Sequence, residues 1–216
     1  VNVENDRYRE FFIKSGQRYI SREYTVESDA SSASYFFASA AITGGTIVVK
    51  NINPSSLQGD IKFVDVLETM GCSVTRKDRD ISLTGRPLRG IEIDMNKMPD
   101  TVQTLAVVAS FAEGETVIKN VSNLRIKETD RLEALAVELS KTGISVMETE
   151  DGLVIKGGHH KGAEIDTCDD HRMSMSFALM GLRIPGIKIK KPFCVNKSFP
   201  EFWEKLKGIG VLVHDA

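Results

Sequence analysis

This chain repeats itself at a period of about seventy residues. Gly45–Asn51 (GTIVVKN) returns as Gly114–Asn120 (GETVIKN) at an offset of 69, and more weakly as Gly186–Pro192 (GIKIKKP) a further 72 on. Each phrase is a β-branched strand entered through a turn glycine. Upstream of each lies an apolar helical stretch, Ala33–Ala41, Val102–Phe111 and Met173–Leu182. Downstream comes an amphipathic helix ending at Gly71, Gly143 or Gly210, then a short strand at 72–74, 144–146 or 211–213. A glycine just past a helix supplies the left-handed residue that satisfies its last carbonyls. Asp80–Thr84 and Gly152–Lys156 read as one more alternating strand per copy, missing from the third. The predicted unit is β-α-β-α-β-β, tandemly repeated over about 26–85, 90–157 and 163–216. No such unit buries its apolar faces alone, so the copies must share one core.

The repeat also predicts where side chains meet. Fourteen residues before the turn glycines stand Ser31, Asp100 and Arg172, each opening the first helix of its unit. Seven residues after Asn51 and Asn120 stand Gln58 and Lys127, opening the second helix, and Lys197 takes that place in copy three. Copies packed about a pseudo-threefold axis point these helix starts the same way. Asp100, Lys127, Arg172 and Lys197 then converge on one polar mouth. Any one of them alone reads as a helix cap or a solvated charge. The run Asn123–Arg131 (NLRIKETDR) adds Glu128 between cations, ahead of the apolar positions Leu132, Leu135, Ala136 and Leu139. Unpaired N–H groups and a partial positive charge at a helix start favour anions, so the mouth reads as an anion site.

The 216 residues allow one large domain or two small ones, and a net charge of −2 with 27% charged residues offers no basic face for nucleic acid. No apolar run reaches a membrane span, and the first residues lack a signal-peptide core. Cys72, Cys168 and Cys194 are three and widely spaced, which fits reduced thiols and a cytoplasmic protein. His159-His160 reads as a surface loop, His171 as a hydrogen-bonded residue orienting Arg172, and Trp203 with Phe199 and Phe202 as packing for the last helix.

NLRIKETDR, the stretch IEIDMNKMPD (91–100), DDHRMSMSFAL (169–179), SDASSASYF (28–36) and VNKSFPEFWE (195–204) together resemble the C-terminal half of the EPSP synthase family. The resemblance runs in register from Val26 onward. It implies an inside-out α/β domain of three such repeats, helices inside and sheets outside. Residues 1–25 resemble the exit strand of a missing N-terminal domain and its hinge, so the chain is expected to be a fragment, inactive alone.

The implied reaction transfers the enolpyruvyl group of phosphoenolpyruvate to the 5-hydroxyl of shikimate 3-phosphate, releasing phosphate on the route to aromatic amino acids. The resemblance implies no metal and no organic cofactor. It implies small-molecule substrates, the N-terminal half as partner, no nucleic acid or membrane, and a monomer when complete. Asp100 matches the acid–base carboxylate that takes the hydroxyl proton, and Glu128 the carboxylate that protonates the methylene carbon. Asn123 and Lys127 match shikimate 3-phosphate contacts, Lys127 close to the reacting centre. Arg131, Arg172 and Lys197 match the cations that hold phosphoenolpyruvate.

Chemistry asks for these types independently. Joining two multiply charged anions needs several desolvated cations, and addition–elimination needs one group to accept a proton and another to deliver one. Ser28 and Asp169 stand where the family more often has Gly and Asn, and the acid beside Arg172 could weaken anion affinity. Two rivals remain at this level, an enolpyruvyl transferase acting on a UDP-sugar and a silent anion-binding domain.

Overall fold

The structure, a computed structural model, describes residues 1–214. The last two residues of the third repeat lie outside them. β1 (Glu4–Asp6) and β2 (Glu10–Phe12) form an antiparallel hairpin whose six residues are all exposed. The body follows in three passes. The first runs α1 (Ala30–Thr43), β3 (Thr46–Val49), α2 (Phe63–Thr69), β4 (Ser73–Lys77) and β5 (Asp80–Thr84). The second runs β6 (Glu92–Asp94), α3 (Val102–Ser110), β7 (Glu115–Lys119), α4 (Arg131–Lys141), β8 (Ser145–Glu148) and β9 (Leu153–Lys156). The third runs β10 (Glu164–Ile165), α5 (His171–Ala178), β11 (Lys188–Ile189) and α6 (Phe202–Gly208).

Each pass builds its own sheet. β5 sits between β3 and β4, both antiparallel to it, while the second sheet has the order β6-β7-β9-β8 with β6 and β7 parallel. The third is the parallel pair β10-β11. The sheets turn alternate residues inward, Ile81 and Leu83 from β5 and Leu153 and Ile155 from β9, all buried. Against them lie the helices, of which α3 is buried on every side. All nine residues of α3 are buried, as the innermost helix of a domain requires. Helices are therefore inside and sheets outside, as expected. Each such fully buried aliphatic side chain contributes about 1.5–3 kcal/mol relative to exposure.

The pseudo-threefold relation is visible in one polar chain. Ser34 of α1, Thr104 of α3 and Ser176 of α5 are wholly buried, and their hydroxyls are linked at 3.2 and 3.3 Å. Small hydroxyl residues let the three helices approach closely where they meet. The terminal glycines behave as read from the sequence: Gly71, Gly143 and Gly210 all have φ between 89 and 121°.

Only the second pass carries all six elements. The strand expected to open the first copy is absent, and residues 20–29 run without regular structure until Asp29 caps α1. No strand forms at 211–213 either. In both places no neighbouring strand among the described residues offers a ladder of hydrogen bonds. Lys127 and Lys197 do not open helices. α4 starts at Arg131 with Asp130 as its cap, and Lys197 ends a 3-10 turn (Pro192–Lys197) ahead of α6. His160 is not a free surface residue; its ring stacks on Phe111 at 4.2 Å and meets Ser110 Oγ at 3.0 Å. Trp203 packs against Phe202 as expected, its indole N–H donating to the Pro192 carbonyl at 3.2 Å.

Candidate active site

The starts of α3, α4 and α5 bring their charges to one end of the helical core. Asp100 lies in the 3-10 turn Pro99–Thr101 that leads into α3. Arg131 is the first residue of α4, which begins there because the Asp130 carboxylate accepts from the Leu132 and Glu133 amides at 3.1 and 3.2 Å. Arg172 is the second residue of α5, capped by Asp170, whose carboxylate accepts from the Arg172 amide at 2.8 Å.

One chain of ion pairs runs through the group. Arg172 Nη2 donates to Asp100 Oδ2 at 2.9 Å and its Nη1 to the Asp100 carbonyl at 3.2 Å. Asp100 Oδ1 stands 3.5 Å from Arg131 Nη1, Arg131 Nη2 donates to Glu128 Oε2 at 2.7 Å, and Glu128 Oε1 accepts from Lys197. Beneath them Asp170 accepts from Arg131 Nε at 2.7 Å. Arg131 is 1% exposed and Asp170 fully buried, so that guanidinium is fixed from below. Loop 123–130 is fixed too. Arg125 bonds Asp130 at 3.0 Å, Glu148 at 2.6 Å and the Thr149 carbonyl at 2.6 Å, stapling the loop to the β8–β9 hairpin.

These contacts set the protonation of Glu128. Burial raises its carboxyl, but the Lys197 hydrogen bond, its own backbone N–H and the charge of Arg131 outweigh that and hold it at about 2. It is therefore a carboxylate at neutral pH. Burial and the charge of Arg172 push the His171 imidazole down, so it is neutral at pH 7. Its buried Nδ1 has no hydrogen-bond partner, so the orienting bond expected of His171 is not made at that nitrogen.

Asp100, Glu128 and Arg131 of the second repeat are thus brought together with Arg172 and Lys197 of the third. Asn123 and Lys127 are on the exposed loop beside them, and neither side chain makes an ion pair or hydrogen bond among the described residues. Sequence reasoning missed two residues. Asp170 stood in the DDHR run with the form of a helix cap, and only burial under Arg131 reveals its second task. Asp60 follows Gln58 in the 3-10 turn Gly59–Lys62, within range of the Asp100 and Arg172 charges. Nothing in its sequence spacing pointed to the cleft.

The EPSP synthase family profile (3-phosphoshikimate 1-carboxyvinyltransferase) matches residues 1–206. The chain belongs to the EPSP synthase family. A relative from Nostoc punctiforme named 3-phosphoshikimate 1-carboxyvinyltransferase is 50% identical over 197 residues, covering 91% of this chain and 46% of that protein. One of the same name from Methanoculleus marisnigri is 47% identical over 98% of this chain and 50% of its own length. The EPSP synthase structure from Acinetobacter baumannii superposes with a TM-score of 0.85 at 32% identity, over 99% of this chain and 52% of that one. The EPSP synthase fold is therefore shared over essentially the whole chain, which spans about half the length of the curated relatives it matches. Among the described residues no helix is long and apolar enough to cross a membrane.

Proposed function

We propose that this chain is one half of an enolpyruvyl transferase that joins phosphoenolpyruvate to the 5-hydroxyl of shikimate 3-phosphate and releases phosphate. The observation that carries the reading is the continuous ion-pair chain Arg172–Asp100–Arg131–Glu128–Lys197. It sets three cations among carboxylates that an anionic substrate can displace. Arg131 and Arg172 offer forked donors for the carboxylate and phosphate of phosphoenolpyruvate, and Lys197 a point charge. Asn123 and Lys127, free on the adjacent loop, reach for the phosphorylated acceptor. A complementary half supplies the facing wall of the cleft. The complete protein acts in the cytoplasm as a monomer.

Asp100 accepts the acceptor's hydroxyl proton as that oxygen bonds to C2 of phosphoenolpyruvate, and Glu128, having taken a proton from water once Lys197 leaves it, delivers that proton to the methylene carbon. The C–O bond to phosphate then breaks as Asp100 returns its proton to the leaving oxygen, and the Glu128 carboxylate takes a methyl proton to restore the double bond. Both carboxylates start the cycle paired, and Glu128 charged. When Lys197 swings from Glu128 to the bound anion, the strongest contact keeping Glu128 ionised is gone, and its proton affinity rises as the chemistry requires.

The test uses the two-half protein and follows phosphate release. Shikimate 3-phosphate is expected to support turnover and a UDP-sugar is not; the reverse preference would move the chain to the other enolpyruvyl transferases. Asp100→Asn should lower kcat at least ~100-fold, the usual worth of a positioned acid–base group, with little change in KM. An unchanged kcat removes Asp100 from the proton-transfer role.

A further inference from the structure

Arg172 acts on three carboxylates. It pairs with Asp100 at 2.9 Å, a carboxylate it shares with Arg131, and its charge also reaches Asp29 and Asp60. Two of the three are well held. Asp29, the cap of α1, accepts from the Ser31 amide at 3.0 Å, the Ser31 hydroxyl at 3.0 Å and the Ser32 hydroxyl at 2.6 Å. These bonds, against the opposing effect of burial, bring its pKa below the ordinary value. Asp100 has both Arg172 and Arg131. Asp60 has no ion pair and no side-chain hydrogen bond among the described residues, although it is half-buried.

The backbone holds Asp60 there. At Gly59 a Cβ would fall 2.0 Å from the Lys97 carbonyl oxygen, so the 59–62 turn lies directly on the segment that leads to Asp100. The charges facing Asp60 are Asp29 from the start of α1, Asp100 from the 99–101 turn and Arg172 from α5. The acids of the adjoining α2, Asp65 and Glu68, are engaged with Arg76 instead. Burial pushes the Asp60 carboxyl up, the Asp100 and Asp29 charges add to it, Arg172 pulls back, and the outcome is about 6.

We propose that Asp60 is a positioning residue that takes up a proton when an anionic substrate engages Arg172, which leaves Asp100 charged and able to act as base. The inference rests on the proposed function of the same site. An anion on Arg172 competes for the one cation among the described residues that offsets Asp60, and brings further negative charge beside it. Of the three carboxylates Asp60 alone lacks donors, so it is the one that neutralises. The sign follows. Below pH 6 Asp60 is already protonated and binding needs no proton. As pH rises through that range, binding must draw a proton from solution and affinity falls. Titration of phosphoenolpyruvate itself is common to wild type and variant, and cancels between them.

The experiment is calorimetry of phosphoenolpyruvate binding to the two-half protein, in pairs of buffers of differing ionisation enthalpy, for wild type, Asp60→Asn and Asp60→Glu. Wild type is expected to take up about half a proton more than Asp60→Asn near pH 6.5, and Asp60→Glu to restore that difference. Asp60→Asn should bind several-fold more tightly than wild type at pH 7.5 and about equally at pH 5.5, roughly tenfold for each pKa unit that binding shifts. Equal proton uptake in wild type and Asp60→Asn, or a ratio of dissociation constants that stays flat with pH, overturns the role of Asp60 and leaves the site's function standing. Absence of any phosphoenolpyruvate binding to wild type overturns both.

Discussion

At the residue scale, two adjacent carboxylates, Asp169 and Asp170, are chemically identical and energetically far apart. Asp170 is fully buried against an almost fully buried Arg131 and also caps α5. Asp169 is exposed and meets only Lys191, itself exposed, at 2.7 Å. Removing Asp170 leaves the buried Nε of Arg131 without its partner, although Glu128 keeps Nη2, and loss of a buried-pair member costs about 3–5 kcal/mol, whereas an exposed pair is worth ~0–1 kcal/mol. Asp170→Ala should therefore lower unfolding free energy by about 3–5 kcal/mol in a denaturant titration, with Asp169→Ala within about 1 kcal/mol of wild type. Equal small losses in the two would mean that Arg131 finds water or another acid, and is not anchored by Asp170. Asp169 also bears on function, because its charge is drawn off by Lys191 and does not meet Arg172 in the described ion pairs. The weakening expected of an acid beside Arg172 has no direct contact to act through.

At the element scale, α4 shows how a helix start decides where a site is. Asp130 caps the helix and also holds Arg125, so one side chain ties together the helix end, the loop bearing Glu128 and the β8–β9 hairpin. Asp130→Ala should cost about 1–2 kcal/mol, and Asp130→Asn, which keeps a capping oxygen, much less. Amide exchange at Leu132 and Glu133 reads the cap directly; unchanged protection there in Asp130→Ala would show that packing rather than capping starts α4. The sequence made the repeat legible because its signals are local: a turn glycine, a β-branched run, a left-handed glycine after a helix. Asn51 and Asn120 even share a positive φ, at 55 and 61°. The strands expected at 211–213 and before Asp29 do not form, because a strand exists only with a partner and the copies differ in which partner is present. Repeat spacing put the helix start at Lys127, whereas the Asp130 hydrogen bonds place it at Arg131. The candidate site was legible where charges fell on the repeat, at Asp100, Arg172 and Lys197. It was not legible at Asp60, which came to the cleft through a close backbone approach at Gly59.

At the scale of the whole molecule, the body and the first 25 residues obey different rules. From Asp29 onward apolar side chains are sorted inward over all three repeats. Before it, Tyr8, Phe11, Phe12, Ile13, Tyr19, Ile20 and Tyr24 are exposed, Tyr19 at 90% and Ile20 at 88%. These exposed apolar side chains, set among charged ones, form a surface of the kind that covers another surface. The site makes the same demand from the other side. Its cations are already matched by carboxylates, so gathering two multiply charged substrates needs further positive charge and a wall that excludes water. On the proposed reading, one complementary half meets both requirements by packing on residues 1–25 and closing over Arg172 and Lys197. Mixing this chain with the separately produced N-terminal half of a close relative should therefore restore phosphate release that neither shows alone. In the same mixture, amides of residues 1–25 should slow in exchange while those of α3 stay as they were. The two changes should share one concentration dependence, since one docking event produces both. Turnover by this chain alone would show that the cations here suffice, and protection at 1–25 without turnover would separate the apolar segment from the assembly of the site.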